Sequence, residues 1–191
     1  MVSKLRSICG ANCFTGVTKM IANEKIVIDF EKIVGALLRS TLIAELRDHE
    51  IEILVDLLTI QCYKAGEFIA KPGDCSLGDA LLILVEGKVE VSAIVDNEPM
   101  VMLLNDPGDL ARIISFVGSN MMKIEATIEV KEDCTILLLE RAKLETLLDT
   151  HHSIVYYVMR GLVRHMHSLA RHKSAETEVL SNYFYRLNGR F

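Results

Sequence analysis

The chain has 191 residues, half of them hydrophobic, few aromatic and none tryptophan. That suffices to bury one aliphatic core and sets the expectation of a single domain with some helical extension. A formal net charge of −5 argues against a nucleic-acid binder, which shows a basic balance or a basic face, and offers no long-range attraction to anionic membranes.

Residues 1–27 have no clear periodicity and are expected to form a flexible N-terminal arm. Lys4 and Arg6 are not followed by an apolar stretch, so no secretory signal is read there. No run approaches the roughly 18 apolar residues of a transmembrane helix. Five cysteines (Cys9, Cys13, Cys62, Cys75 and Cys134), odd in number and scattered, read as reduced thiols of a cytoplasmic protein. Cys9 and Cys13 lack further Cys or His neighbours to complete a tetrahedral set, so no metal is expected.

Residues 28–60 are expected to be helical. Ile33, Val34, Leu37, Leu38, Leu42, Ile43 and Leu46 recur at helical spacing from Ile28 to Arg47. Asp48 then caps a second helix, with Glu50 and Glu52 in its first turn and Ile51, Leu54, Val55 and Leu58 on one face.

Residues 61–140 change period. Tyr63 to Ile69 reads as strand, turn, strand, and Lys71-Pro72-Gly73-Asp74 as a turn. Ala80–Leu84 is a short apolar run, Glu86-Gly87-Lys88 a hairpin turn, and Val89–Val95 a half-buried strand. After a turn at Asp96–Pro99 come Met100–Leu104 and the turn Asn105–Asp109. The last strands are expected over Ile124–Val130 and Cys134–Leu139. Short strands with turns every 8 to 12 residues indicate a sandwich or barrel.

Residues 141–191 return to helical spacing. Leu144, Leu147 and Leu148 share a face, and Ile154, Val155, Val158, Leu162, Met166 and Leu169 form a stripe. Lys173–Phe191 either continues that helix or forms a short one. The stripe suits an intermolecular seam, so a homodimer through the C-terminal helix is expected. His165, His167 and His172 lack the spacing and nearby carboxylate of a metal site.

The order helices, strands, helices, with no βαβ alternation, gives an α+β chain on a barrel-like core. Its matching residues are Leu46–Ile51, Tyr63-x-Ala65-Gly66-Glu67-x-Ile69, Pro72-Gly73-Asp74, Gly78-Asp79-Ala80, Val85–Val89, Asp133-Cys134 and Leu144. In that order and spacing they resemble the cyclic nucleotide-binding domain family, the sensor half of catabolite-activator-type proteins and kinase regulatory subunits. The resemblance covers roughly residues 36–172. It implies a jelly-roll β-barrel (a double-stranded β-helix) flanked by N-terminal helices, with a hinge helix and a long C-terminal helix after it.

The family's phosphate-binding cassette reads Gly-Glu-hydrophobic-Ala/Ser and, some residues on, Arg-x-Ala-Thr. Its helix N-terminus and Arg hold the phosphate, and its Glu accepts the ribose hydroxyl. Carried over from Pro107-Gly108-Asp109, the first element falls on Arg112-Ile113-Ile114-Ser115. Carried back from Ala126-Thr127-Ile128, the arginine falls on Ile124. Arg112 thus replaces the glycine, Ile113 the ribose-binding glutamate and Ile124 the arginine. Two charge-assisted hydrogen bonds of roughly 1.5–3 kcal/mol each are missing. Binding of cAMP or cGMP is therefore expected to be weak or lost. Arg112 and Lys123 are the two cations through which a phosphate is still reachable.

No nucleophile elbow, metal-ligand helix or Walker loop is present, so no enzyme is expected. Fewer than about 25 residues follow Ala170, too few for the helices and supporting core of a helix-turn-helix unit. The expectation is a cytoplasmic regulatory module with no DNA-binding domain, acting through contacts with an unidentified protein. The alternative is a sensor holding a cyclic nucleotide or another small molecule in the barrel.

Overall fold

The computed structural model describes residues 18–21, 24–27, 30–73, 77–95, 98–118 and 126–188. Cys9, Cys13 and Cys75 lie outside these, as does most of the stretch read as an arm. Within that stretch Thr18–Ile21 (β1) and Glu24–Val27 (β2) pair as an antiparallel hairpin.

The helical spacing read from Ile28 to Arg47 resolves into two pieces. Helix α1 runs Phe30–Arg39. It stops because the Ser40 hydroxyl accepts from the Leu42 amide, 3.2 Å away, and starts a 3-10 turn over Thr41–Ile43. A short polar side chain offering the backbone a local partner is a common way to break a helix. Helix α2 covers Asp48–Asp56. It begins one residue earlier than the sequence suggested, because the Glu50 carboxylate reaches back to the Arg47 amide at 2.9 Å.

Six strands follow: β3 (Leu58–Tyr63), β4 (Phe68–Ala70), β5 (Ala80–Val95), β6 (Glu98–Leu104), β7 (Leu110–Ala111) and β8 (Ala126–Glu140). They form one antiparallel sheet in the order β3-β8-β5-β6, with β4 on β8 and β7 on β5. The jelly-roll-like sheet curls round a core, but its hydrogen bonding does not close into a barrel.

Two features differ from the sequence reading. Glu86-Gly87-Lys88 is not a hairpin turn: β5 continues through it, with the register to β8 shifting between Leu84 and Val89. The last two expected strands are likewise one strand, β8. Gly87 sits at φ 93°, and a Cβ there would lie 2.3 Å from the Asp133 carbonyl oxygen. Gly87 therefore makes a β-bulge that bends two long strands together, which the local sequence cannot tell from a turn.

The bend explains the composition of β5 and β8. Before it, Ala80–Val85 is buried on both faces. Leu81, Ile83 and Val85 pack with the helices, whereas Ala80, Leu82 and Leu84 pack with the other strands. A strand covered on both sides reads as a continuous apolar run. After it, Val89, Val91 and Ala93 face inward and Glu90, Ser92 and Ile94 outward, the alternation of a half-covered strand. Leu137 and Leu139 of β8 join the helical core, and Ile136 and Leu138 the strand-lined one.

Helices α3 (Ile113–Phe116) and α4 (Arg141–Glu145) are short, and α5 spans His152–Asn188. At 37 residues α5 is about 55 Å long, so the tail from Lys173 continues the helix through Asn188. Ile154, Val158 and Leu162 are fully buried against the helical core, but Met166 and Leu169 are exposed. The stripe read as a seam thus divides: its first half packs within the chain. Leu144 and Leu147 are buried while Leu148 is 52% exposed, so these three do not share one environment.

Candidate ligand-binding cassette

The segment between β6 and β8 is built on the Asn105–Asp109 loop. Asp109 Oδ2 accepts from the Asn105 and Asp106 amides at 3.1 and 3.0 Å. The Gly108 amide donates to the Leu84 carbonyl at 2.8 Å, and the Asp109 carbonyl accepts from the Leu84 amide at 2.9 Å. Gly108 has φ 98°, and a Cβ would lie 2.7 Å from the Ala36 carbonyl oxygen and 2.8 Å from the Ser40 amide. The loop is therefore pressed against the C-terminal end of α1. Strand β7 next pairs with Leu82 and Ile83 of β5 and delivers the chain to Arg112.

Arg112 stands at φ 64°, ψ 24°, the only non-glycine with positive φ among the described residues. This is the position where the family pattern has glycine, and left-handed backbone is costly for a residue bearing a Cβ. Arg112 keeps the glycine geometry without the glycine. Its Nη2 donates to the Gly78 carbonyl, tying the start of α3 to the turn before β5.

Helix α3 is a single turn, closed by Phe116 N to Arg112 O at 3.0 Å and Val117 N to Ile113 O at 2.9 Å. Ile113 is 8% exposed and Phe116 1%, and both belong to the helical core with Ile33, Leu37 and Leu110. Where a ribose-binding carboxylate would stand, the side chain fills the core instead of lining a site. Ser115 is half-buried on the same turn.

The far end of α3 passes close to Arg141. A Cβ on Gly118 (φ 76°) would lie 2.2 Å from Arg141 Nη1. The Arg141 guanidinium pairs with Asp79 and, at 3.5 Å, with Glu145. Arg112 thus ties the start of the cassette to the Gly78-Asp79 turn, and the Arg141 guanidinium near its far end pairs with Asp79 of the same turn.

Thr127 is the second residue of β8, half-buried and opposite Ser92. It lies on the face away from Ile128 and Val130, which line the strand core. Lys123 and Ile124 lie outside the described residues. The structure accordingly brings Arg112, Ile113 and Ser115 together on α3 and sets Thr127 on the sheet. The sequence did not single out Gly78, Asp79 or Arg141 as cassette partners, since nothing local marks a contact between residues so far apart in the chain.

Inside the sheet, Ile69, Leu82, Leu84, Val91, Leu104 and Ile128 pack together in an aliphatic filling. A cavity of about 460 Å³ lies beside it, where β3 and β8 meet α4, lined by Thr59, Gln61, Asp79, Glu140, Arg141 and Glu145 among others. Its charges are largely spent on one another, through the Asp79–Arg141 pair and Lys143, which reaches Glu140 at 2.8 Å and Thr59 at 3.1 Å.

The long helix packs against the 3-10 turn and the start of α2. Gly161 rests on the 3-10 turn, where a Cβ would be 2.6 Å from the Thr41 carbonyl oxygen. Glu45 pairs with Arg160 at 3.2 Å and with Arg164. Ser153 donates to Glu50 at 2.7 Å. The Arg47 amide and then the Ser153 hydroxyl hold the Glu50 carboxyl below the usual carboxylate range. One turn past Gly161, burial lowers the pKa of His165 while Asp109 of the cassette loop opposes that shift. Burial, reinforced by Cys62, pushes the Cys134 thiol up to about 12, so it stays an inert thiol at neutral pH. Among the described residues no group of three or more His, Cys, Asp or Glu could hold a metal ion, and no helix is long and apolar enough to cross a membrane.

Residues 60–151 match the model of the family described as the cyclic nucleotide-binding domain. The fold is similar to a cyclic nucleotide-binding domain from Methylobacillus flagellatus (19% identity, TM-score 0.63, covering 80% of this chain and 83% of that one). It is also similar to the catabolite activator protein of Thermus thermophilus (24% identity, TM-score 0.57), with 74% of this chain covering 63% of that one. A third likeness is to the N-terminal domain of a transcriptional regulator from Streptomyces coelicolor (20% identity, TM-score 0.56, covering 70% and 94% of the two chains). No curated protein matches the sequence significantly. At these identities the structural likeness speaks for the fold.

Proposed function

We infer that this chain, which carries a cyclic nucleotide-binding-type domain, is a regulatory module whose cassette is closed by its own side chains and which signals through protein contacts. The fold is a regulatory and sensor fold. The observation that carries the reading is the state of α3. Ile113 is built into the hydrophobic core, and Arg112 spends its guanidinium on the Gly78 carbonyl.

The energetic reasoning is direct. A nucleotide entering such a cassette finds no carboxylate for its ribose at Ile113, and Ile124 offers no guanidinium to its phosphate. To engage Arg112 it must first compete with the Gly78 carbonyl. Losing two charge-assisted hydrogen bonds of roughly 1.5–3 kcal/mol each lowers affinity by hundreds-fold or more.

A second reading keeps the cassette as a sensor. Arg112 is only half-buried, so a phosphate able to displace the Gly78 carbonyl would gain a charge-assisted partner. Thermal unfolding with and without millimolar cAMP, cGMP and cyclic dinucleotides decides between them. A ligand at 100 times its dissociation constant adds about 2.7 kcal/mol, roughly 5–10 °C for a chain this size. No shift with any of them is expected. A shift of that size that disappears in Arg112→Ala replaces the first reading with the second.

A further inference from the structure

Charge is unevenly distributed along the chain. Between Asp149 and Glu176 there is no acidic residue, while Arg160, Arg164, Arg171 and Lys173 are basic. Five of the six histidines fall there too. That segment carries +4 of a formal net −5, which leaves −9 on the rest of the chain. All four cations lie on α5.

On the helix Arg160, Arg164, His167 and Arg171 form one row. Their steps of four, three and four keep them within about 60° of arc over about 16 Å, roughly 150° round the helix from buried Ile154, Val158 and Leu162. All four are exposed. One carboxylate already shows what the row accepts. Glu45 Oε2 lies 3.2 Å from Arg160 Nη1, and its Oε1 pairs with Arg164, so one carboxylate bridges two guanidiniums a turn apart. Further along, Arg171 has no ion-pair partner among the described residues.

We propose that this row docks an acidic helical segment of a partner protein, whose carboxylates sit on the guanidiniums as Glu45 does. The proposal rests on the reading of a module that acts through protein contacts, and it names the chemistry of the contact. Carboxylates spaced by three and four along a helix meet the row turn for turn, and each pairs with a guanidinium through charge-assisted hydrogen bonds. A nucleic acid fits less well. A duplex longer than the row runs past a molecule that carries −9 outside the segment, and that repulsion reaches about 8 Å at physiological salt. A short acidic segment meets the row and little else. Glu45 competes with it for Arg160 and Arg164, as an occupant built into the chain.

The test is fluorescence anisotropy of a labelled helical peptide of about 20 residues, with Glu at these steps and Ala and Gln elsewhere. The full chain is titrated to about 100 µM, at low salt and at about 0.15 M. The peptide is expected to bind, more weakly in the higher salt, and its analogue with Gln for every Glu is not. Arg171→Glu, at an exposed side chain, weakens binding about tenfold with an unchanged circular dichroism spectrum. Glu45→Gln removes the competitor and tightens binding about threefold. Lys71→Glu makes the same change of net charge at an exposed site off the row and leaves the affinity unchanged. No binding at low salt overturns the proposal, as does a Glu45→Gln chain that binds no tighter. Equal weakening by Lys71→Glu and Arg171→Glu also overturns it, by showing a diffuse field instead of a row. Tighter binding of a DNA duplex of about 20 base pairs, lost in Arg171→Glu, assigns the row to nucleic acid and overturns it as well. None of these outcomes bears on the closed cassette, which thermal unfolding with nucleotides tests separately.

Discussion

Replacing Gly161 by alanine tests how closely α5 is seated on the 3-10 turn. In an isolated helix that change stabilises by about 1 kcal/mol, because glycine loses the most backbone entropy on folding. Here the added Cβ would meet the Thr41 carbonyl oxygen at 2.6 Å, Leu42 Cα at 3.1 Å and the Thr41 carbonyl carbon at 3.2 Å. The first contact is roughly 0.8 Å inside ordinary van der Waals separation. All three atoms are backbone, so no rotamer change relieves them, and the helix must lift away from the turn. Lifting loosens Val158 and Leu162, which are completely buried on the same face. Overpacking of this kind costs about 1–3 kcal/mol. Set against the propensity gain, the net change is a loss of about 0–2 kcal/mol, or up to roughly 8 °C in midpoint, instead of the gain seen in a free helix. Gly35→Ala, in the interior of α1 with nothing within 4 Å of the new Cβ, shows the propensity effect alone and should raise the midpoint. Both are read by thermal and urea unfolding at one protein concentration. If Gly161→Ala were as stabilising as Gly35→Ala, the close seating of α5 on Thr41 would be wrong.

Gly108→Ala should be the more damaging glycine change. It combines φ 98° with contacts of 2.7 and 2.8 Å to the backbone of α1, so a loss above about 2 kcal/mol is expected by denaturant titration. Ile113→Glu, the change that would restore a carboxylate to the cassette, places it at a position 8% exposed in the helical core. Destabilisation by about 3 kcal/mol or more is expected, together with a raised pKa for the new carboxyl. An unchanged midpoint would mean that α3 can turn this side chain out to solvent. Glu50 supplies a pH test. Its pKa is lowered on folding by the Arg47 amide and Ser153, so its contribution is fully present above the unfolded value near 4.5. It is lost as pH falls through the lower folded value. The stability gap between wild type and Glu50→Gln should therefore be constant near neutrality and narrow below about pH 4.5; a gap that widens on acidification would contradict the hydrogen bonds assigned to it.

Much of this protein was legible in one dimension. The helical period, its replacement by short strands and its return fixed the order of layers, because amphipathic period follows directly from backbone geometry. The departures at Arg112 and Ile113 were readable too, since a missing carboxylate is a fact of composition. Three things were not. Glu86-Gly87-Lys88 carries the same local signal whether the chain reverses or runs on through a bulge, and only the approach of Asp133 and Cys134 selects the bulge. Arg112 has no sequence mark that it would adopt left-handed backbone and bind Gly78, because that bond joins residues 34 apart in the chain. The apolar stripe of the long helix carries no sequence mark of where intrachain packing ends, yet Val158 and Leu162 are buried while Met166 and Leu169 are exposed. Gly161 seats the buried half, where the backbone of α5 approaches Thr41. Local sequence thus determined which residues could be buried, while tertiary contact decided which were, because burial depends on what stands opposite.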